Sequence, residues 1–195
     1  MDERHGARQP HRFDPRRSAL LDDEARFAHV PPDELLALLE LPADGLLLDF
    51  GTGTGTYALA IARARPDVRV LALDEQDAML DQLRAKLAAA PLPNVEPIGP
   101  DALPALRGGV ERILALNVLH ELGDDALAHL RALLAPAGRA VIVDWNADVE
   151  RPVGPPRDHV FGEREATDRL RASGFAVLAT HPFAYHYGLT IRPAR

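Results

Sequence analysis

The residues best placed to do chemistry lie in LLLDFGTGTGTYALA, where Asp49 leads into Gly51, Gly53 and Gly55 and helical patterning begins at about Thr56. An acid closing an apolar run, followed by alternate glycines, suits a tight strand-to-helix turn. Its free amides can meet a polar or anionic ligand group at the helix N-terminus, and glycine lets the backbone approach that ligand closely. A purely structural tight turn has the same composition. Spacing narrows the choice: the dinucleotide fingerprint G-x-G-x-x-G wants a glycine at position 56, where Thr56 stands. Asp74, in LALDEQDAML, closes a further apolar run roughly 20 residues past the glycines.

Acid–base candidates lie further along. His120 and Glu121, in LALNVLHEL, follow an apolar run at the edge where open α/β sheets bind ligands, and either suits a base or a helix cap. His159 lies in a Pro-rich loop over 146–162 that would overhang such a pocket. Asp144 and Trp145 end another apolar run, where the indole can wall the pocket or pack in the core. Tyr185 and Tyr187 alternate with His186 along the last run, and core packing suits both tyrosines.

These positions need elements to hold them. After Gly45 short apolar runs alternate with helical patterns, the signature of parallel strands joined by crossover helices and buried on both faces. Strands are predicted over 46–49, 68–73, 95–98, 112–116 and 139–145. Helices are predicted over 56–65, stopped by Pro66, over 76–90, and over 124–134, ended by Pro136 and Gly138. The C-terminal part differs: after a helix over 163–173, FAVLATH and AYHYGLTIR make two strands in succession, hence a hairpin. A dinucleotide-binding Rossmann domain would go on alternating. Ahead of the first strand, SALLDDEARFAHV predicts a short helix in which Asp22-Asp23-Glu24 forms a solvated face, and Pro31-Pro32 opens a second helix. Residues 1–17, with five Arg, three acids and little apolar but Phe13, read as a flexible arm. Residues 18–195 read as one domain with cap helices over 18–42.

The D-x-G-x-G-x-G of residues 49–55 resembles motif I of the class I S-adenosylmethionine-dependent methyltransferases. Asp74, Asp101 in PDALPAL and Asn117 in LALNVLHEL match later cofactor positions of that family. The resemblance runs from about Phe13 to Pro193 and is nearest to the small bacterial methyltransferases of the type 11 group, including quinone-biosynthesis-like members. PADGLLLDFG departs from the family in lacking the usual glycine-plus-polar lead into the first strand. The resemblance implies a three-layer, doubly wound α/β sheet, Rossmann-like and mostly parallel, with an antiparallel C-terminal strand. It implies S-adenosylmethionine as cofactor, bound by Asp49, Gly51, Thr52, Gly53, Gly55, Asp74, Glu75, Met79, Asp101, Ala102 and Asn117, with Asp101 on the adenine amino group. The catalytic candidates, in order, are His120, Glu121 and His159. A cofactor-sensing protein on the same fold and a Rossmann oxidoreductase stay open as alternatives.

Composition excludes other classes. At 195 residues and 47% hydrophobic content the chain can bury one domain's core. The net charge of -7 repels polyanions, so a small, largely apolar acceptor is expected rather than nucleic acid. With no Cys there is no thiolate metal site and no cysteine nucleophile, which removes arsenite methylation, known in the wider family. The eight histidines contain no H-x-x-x-H pair, and no metal is assigned. No apolar leader or bilayer-length stretch is present, so a cytoplasmic protein without membrane insertion is expected. Oligomeric state is not legible.

Overall fold

The apolar runs become the strands β1 (Leu46–Phe50), β2 (Arg69–Leu73), β3 (Val95–Ile98), β4 (Val110–Leu116), β5 (Leu134–Trp145), β6 (Phe175–Pro182) and β7 (His186–Pro193) in the computed structural model, which describes residues 13–194. Most of the arm expected over 1–17 therefore lies outside the described residues. The strands form one seven-stranded sheet in the order β3-β2-β1-β4-β5-β7-β6. Pairing is parallel throughout from β3 to β5, and β7 runs antiparallel to both β5 and β6. This is the expected three-layer, mostly parallel sheet with its C-terminal hairpin.

Helices α1 (Pro32–Leu39), α2 (Thr56–Ala64) and α3 (Asp77–Ala89) cover one face, where Leu35, Leu39, Ile61 and Leu83 pack on Leu47, Val70, Leu114 and Val141. The short α4 (Leu103–Leu106), with α5 (Asp124–Leu133) and α6 (Glu163–Ala172), covers the other, where Leu127, Leu130 and Leu170 pack on Ile113, Ile142 and Leu189. Alternate strand residues thus feed two separate cores, and each fully buried Leu or Ile contributes about 1.5–3 kcal/mol. Strand order reverses between β1 and β4, and in such sheets ligands bind beyond the carboxyl ends of the strands at that crevice. No helix among the described residues is long and apolar enough to cross a membrane.

Two expectations are corrected. The segment SALLDDEARFAHV is not an α-helix: it forms two 3-10 segments, Pro15–Leu21 and Glu24–Ala28, interrupted at Asp22 and Asp23. Asp14 and Asp23 each turn a side-chain oxygen onto the amide two residues ahead, which restarts the chain at each point rather than extending one helix. The first of these segments begins at Pro15, inside the stretch read as an arm. Secondly, Pro136 and Gly138 do not end α5. The chain passes straight into β5 at Leu134, which pairs with Val110, and the register shifts between Val110 and Arg112. An irregular stretch tolerates Pro136, and a Cβ at position 138 would lie 2.8 Å from the Val110 carbonyl oxygen.

Candidate active site

The glycine loop folds back on the end of β2. The N–H groups of Gly51 and Thr52 both donate to the Leu73 carbonyl, at 2.9 and 2.8 Å. The Gly53 N–H donates to Asp74 Oδ2 at 2.8 Å, while the Gln76 N–H donates to Oδ1 at 2.9 Å. Asp74 therefore ties the loop to the start of α3, and each of its oxygens keeps a lone-pair direction. Gly55 has φ +81°, and a Cβ there would stand 2.4 Å from Leu83 Cδ1, so backbone and packing both demand glycine. Gly53, at φ +56°, differs: the nearest atom to an added Cβ is Leu21 Cδ1, 3.0 Å away on the N-terminal segment.

Asp49 is buried and accepts a 2.6 Å bond from the Thr52 hydroxyl. Burial raises its pKa to about 6, opposed by the Thr52 bond and by Arg26 and helped by Asp74. Asn117 follows β4 in the left-handed region, φ +57°, with its N–H on the Val143 carbonyl at 2.7 Å and no hydrogen-bond partner for its buried Oδ1 among the described residues. Asp101 is exposed in the 3-10 turn Pro100–Ala102 beyond β3, and Ala102 is half-buried beside it. Glu75 is exposed next to Asp74, whereas Met79 is buried on α3. Free carboxylate lone pairs at Asp74, a second acid at Asp101 and an orphaned acceptor at Asn117 line the carboxyl edge of β2, β3 and β4. That set of acceptors fits an adenosyl ligand, whose ribose hydroxyls and amino groups donate.

The strongest acid–base arrangement joins His120 to Asp144. The ring Nδ1 lies 2.8 and 3.0 Å from the two Asp144 oxygens, the His120 backbone N–H donates to Oδ2 at 3.0 Å, and the Trp145 N–H donates to Oδ1 at 2.7 Å. A carboxylate only accepts, so Nδ1 carries the proton and Nε2 presents a lone pair. Burial lowers the His120 pKa, but the charge and hydrogen bond of Asp144, with the charge of Glu121, outweigh it and leave it raised. Glu121 Oε1 stands 3.7 Å from Nε2. Burial raises the Glu121 carboxyl to about 7, against the His120 charge and the Phe13 N–H bond. His159 ends the 3-10 turn Arg157–His159, half-buried, and is not among the residues lining the cavity described next.

A cavity of about 10 Å³, room for one water at most, is lined by Arg26, His29, Val30, Tyr57, Asn117, Trp145 and His186. Trp145 and His186 are cross-strand partners with rings 4.0 Å apart, and the Arg151 guanidinium covers the indole at 5.4 Å. Tyr187 lies instead on the opposite face, wholly in the core. The segment from Phe13 to His29 straps across this edge. Phe13 donates to Glu121 Oε2 and accepts from the Gln76 side chain, both at 3.3 Å. Asp22 binds the Thr54 hydroxyl, the Thr56 hydroxyl at 3.1 Å and Lys86 Nζ at 2.5 Å. The three acids of the run stay exposed, though not on an α-helix; Asp23 caps the Ala25 amide, and Asp22 alone takes partners distant in sequence, which left no local signal. Arg26, His29 and Tyr57 were missed for the same reason. Among the described residues no group of three His, Asp or Glu could hold a metal ion.

The family profile described as Methyltransferase domain matches residues 48–140, from β1 into β5. A solved structure of a SAM-dependent methyltransferase from Aquifex aeolicus superposes with a TM-score of 0.85 at 28% identity, covering 92% of this chain and 98% of that one. Profile and fold together support a class I S-adenosylmethionine-dependent methyltransferase. A curated member, trans-aconitate 2-methyltransferase of Methylobacterium radiotolerans, is 39% identical over 112 residues, 55% of this chain and 41% of the relative. This chain therefore spans well under two thirds of that methyltransferase's length. The cyclase SpnF shares the fold at a TM-score of 0.72 and 16% identity, covering 84% of this chain and 80% of that one. A class I methyltransferase fold alone thus does not specify the reaction.

Proposed function

We propose that this chain transfers a methyl group from S-adenosylmethionine to a small acceptor whose oxygen or nitrogen surrenders a proton to His120. The observation that carries this is the His120–Asp144 pair set at the same sheet edge as the glycine loop and Asp74. When bound, the cofactor supplies a methyl on a sulfonium, already activated, which departs as a neutral thioether.

The chain's own tasks are then to position, to deprotonate and to exclude water. Asp74 and Asp101 hold the adenosyl part beside the glycine loop, whose own amides are spent on Leu73, Thr52 and Asp74, and Asn117 supplies an acceptor beside it. His120 Nε2 takes the acceptor's proton as the new bond to carbon forms, and Asp144 fixes the tautomer and steadies the imidazolium. Asp144 is a positioning residue. The strap from Phe13 to His29 and the indole of Trp145 close the edge against water, so alignment of the two reactants accounts for much of the rate.

Walls of Val30, Tyr57 and Trp145 in a chain of net charge -7 suit a small, largely apolar acceptor, handled in the cytoplasm, rather than nucleic acid. The relative named for trans-aconitate supports a small-molecule acceptor. The test is methyl transfer from radiolabelled S-adenosylmethionine to a set of small hydroxy, amino and carboxylic compounds, with tRNA beside them. Label in a small compound, with weak dependence on salt, supports the proposal; label in tRNA alone overturns the acceptor class.

A further inference from the structure

The loop between β5 and α6 forms a concavity of about 310 Å³ walled by residues 151–157, a size that suits a small ligand. Its shape is fixed by its own chain. Pro152, Pro155 and Pro156 restrict the backbone, and Arg151 Nη2 donates to the Pro155 carbonyl at 2.6 Å. Gly154, at φ +94°, lies so close on the indole that an added Cβ would stand 3.0 Å from the Trp145 ring. Arg157 Nε donates to the Ala147 carbonyl at 2.7 Å and ties the end of the loop to its start.

A cation stands at each end of this concavity. Arg151 covers the Trp145 indole at 5.4 Å, and its buried Nε has no hydrogen-bond partner among the described residues. Arg157 is exposed, and its two terminal nitrogens have no partner among the described residues. The walls contain no acid, and among the described residues the flanking Glu150 and Asp158 form no ion pair with either guanidinium. The two charges act on each other: burial and Arg157 lower the Arg151 pKa, against Asp144. The Arg151 charge also reaches His120, so the loop borders the base. Two guanidiniums anchored on loop carbonyls, with spare donors and no counter-charge, suit an oxyanion.

We propose that Arg151 and Arg157 clasp an oxyanion at one end of the methyl acceptor, whose apolar body lies against Trp145. This rests on the methyltransferase reading and deepens it: the acceptor is an amphipathic acid, and its oxyanion is a carboxylate or a phosphate ester.

Trp145, the sole tryptophan, lies under Arg151 and reports binding by its fluorescence. The probes are benzoate and phenyl phosphate, against neutral benzamide, on protein saturated with S-adenosylhomocysteine and at constant ionic strength. Both oxyanions should give a saturable change and benzamide should bind about tenfold more weakly or not at all; the tighter of the two names the oxyanion. Arg157→Gln, at an exposed position, should weaken the tighter oxyanion about fivefold or more and leave benzamide within about twofold. Arg157→Lys should recover part of the loss, since it keeps the charge and not the fork. Benzamide binding as well as the oxyanions, oxyanion binding unmoved by Arg157→Gln, or no saturable response to either oxyanion overturns the proposal. Oxyanions that bind only the protein free of S-adenosylhomocysteine overturn it too, because they occupy the cofactor's place. Failure of the unmodified protein to bind S-adenosylhomocysteine instead overturns the methyltransferase reading beneath it, whatever the oxyanions do.

Discussion

A single buried carboxylate, Asp144, holds both the ring and the main chain of His120: Oδ1 lies 2.8 Å from Nδ1, and Oδ2 accepts the His120 N–H at 3.0 Å. The ring cannot turn without breaking a charge-assisted bond in a site from which Asp144 is wholly shielded. Its Nε2 is therefore presented in one orientation.

That arrangement sets a pH dependence. Burial pulls the His120 pKa down and Asp144 pushes it up further, so Nε2 is free only above the ordinary value of 6.5. The kcat should rise with pH through this higher midpoint, which belongs jointly to His120 and Glu121. Asp144→Asn should move the midpoint down and, like His120→Ala, lower the plateau by about 10² to 10⁴. Cofactor affinity should hold in both. Parallel losses of kcat and cofactor affinity would assign the pair a structural role.

Asp74→Ala should weaken S-adenosylhomocysteine by about 1–3 kcal/mol, the cost of stranding hydroxyls in a partly buried site. Because Asp74 also holds the Gly53 and Gln76 amides, the thermal midpoint should be measured alongside. Unchanged affinity would make Asp74 a brace for the loop only.

The fold was legible because buried parallel strands and their helices leave continuous apolar runs and periodic leucines, such as Leu127, Leu130 and Leu133 facing one core. The glycine loop was legible because its conformation restricts residue type, as Gly55 shows. His120 and Asp144 were each visible at the sheet edge, but their bond spans 24 residues and depends on which way β5 turns its side chains. The strap was misread because Asp14 and Asp23 cap amides two residues ahead and Asp22 takes partners from α2 and α3, contacts that override any local helical preference.

The strap should control ligand exchange. With a cavity of about 10 Å³ beneath it, a ligand enters only when the segment lifts. Asp22→Ala removes the contacts to Lys86, Thr54 and Thr56. The pair with Lys86 is partly exposed and worth about 0–1 kcal/mol, and each hydroxyl bond about 1 kcal/mol. Stopped-flow fluorescence should show S-adenosylhomocysteine leaving up to about tenfold faster. An unchanged rate would mean that the strap does not gate the site.

His186 carries the opposite pH signature to His120. Burial lowers its pKa to about 3, and neither ring nitrogen has a partner among the described residues. A histidine kept neutral in the fold contributes stability that is present above 6.5 and lost as pH falls towards 3. His186→Phe, which retains a ring against Trp145, should gain on the unmodified protein below pH 6.5, by at most about 1.4 kcal/mol per unit. Denaturant melts at pH 7 and pH 5 measure this. A difference independent of pH would contradict the burial of a neutral ring.

The central claim is that the loop from Asp49 to Gly55, with Asp74, receives S-adenosylmethionine. Titration calorimetry of the purified chain with S-adenosylmethionine and, separately, with NAD tests it most directly. We predict one site for S-adenosylmethionine with a Kd of about 10 µM or tighter and no heat with NAD. Binding of NAD without binding of S-adenosylmethionine would contradict it.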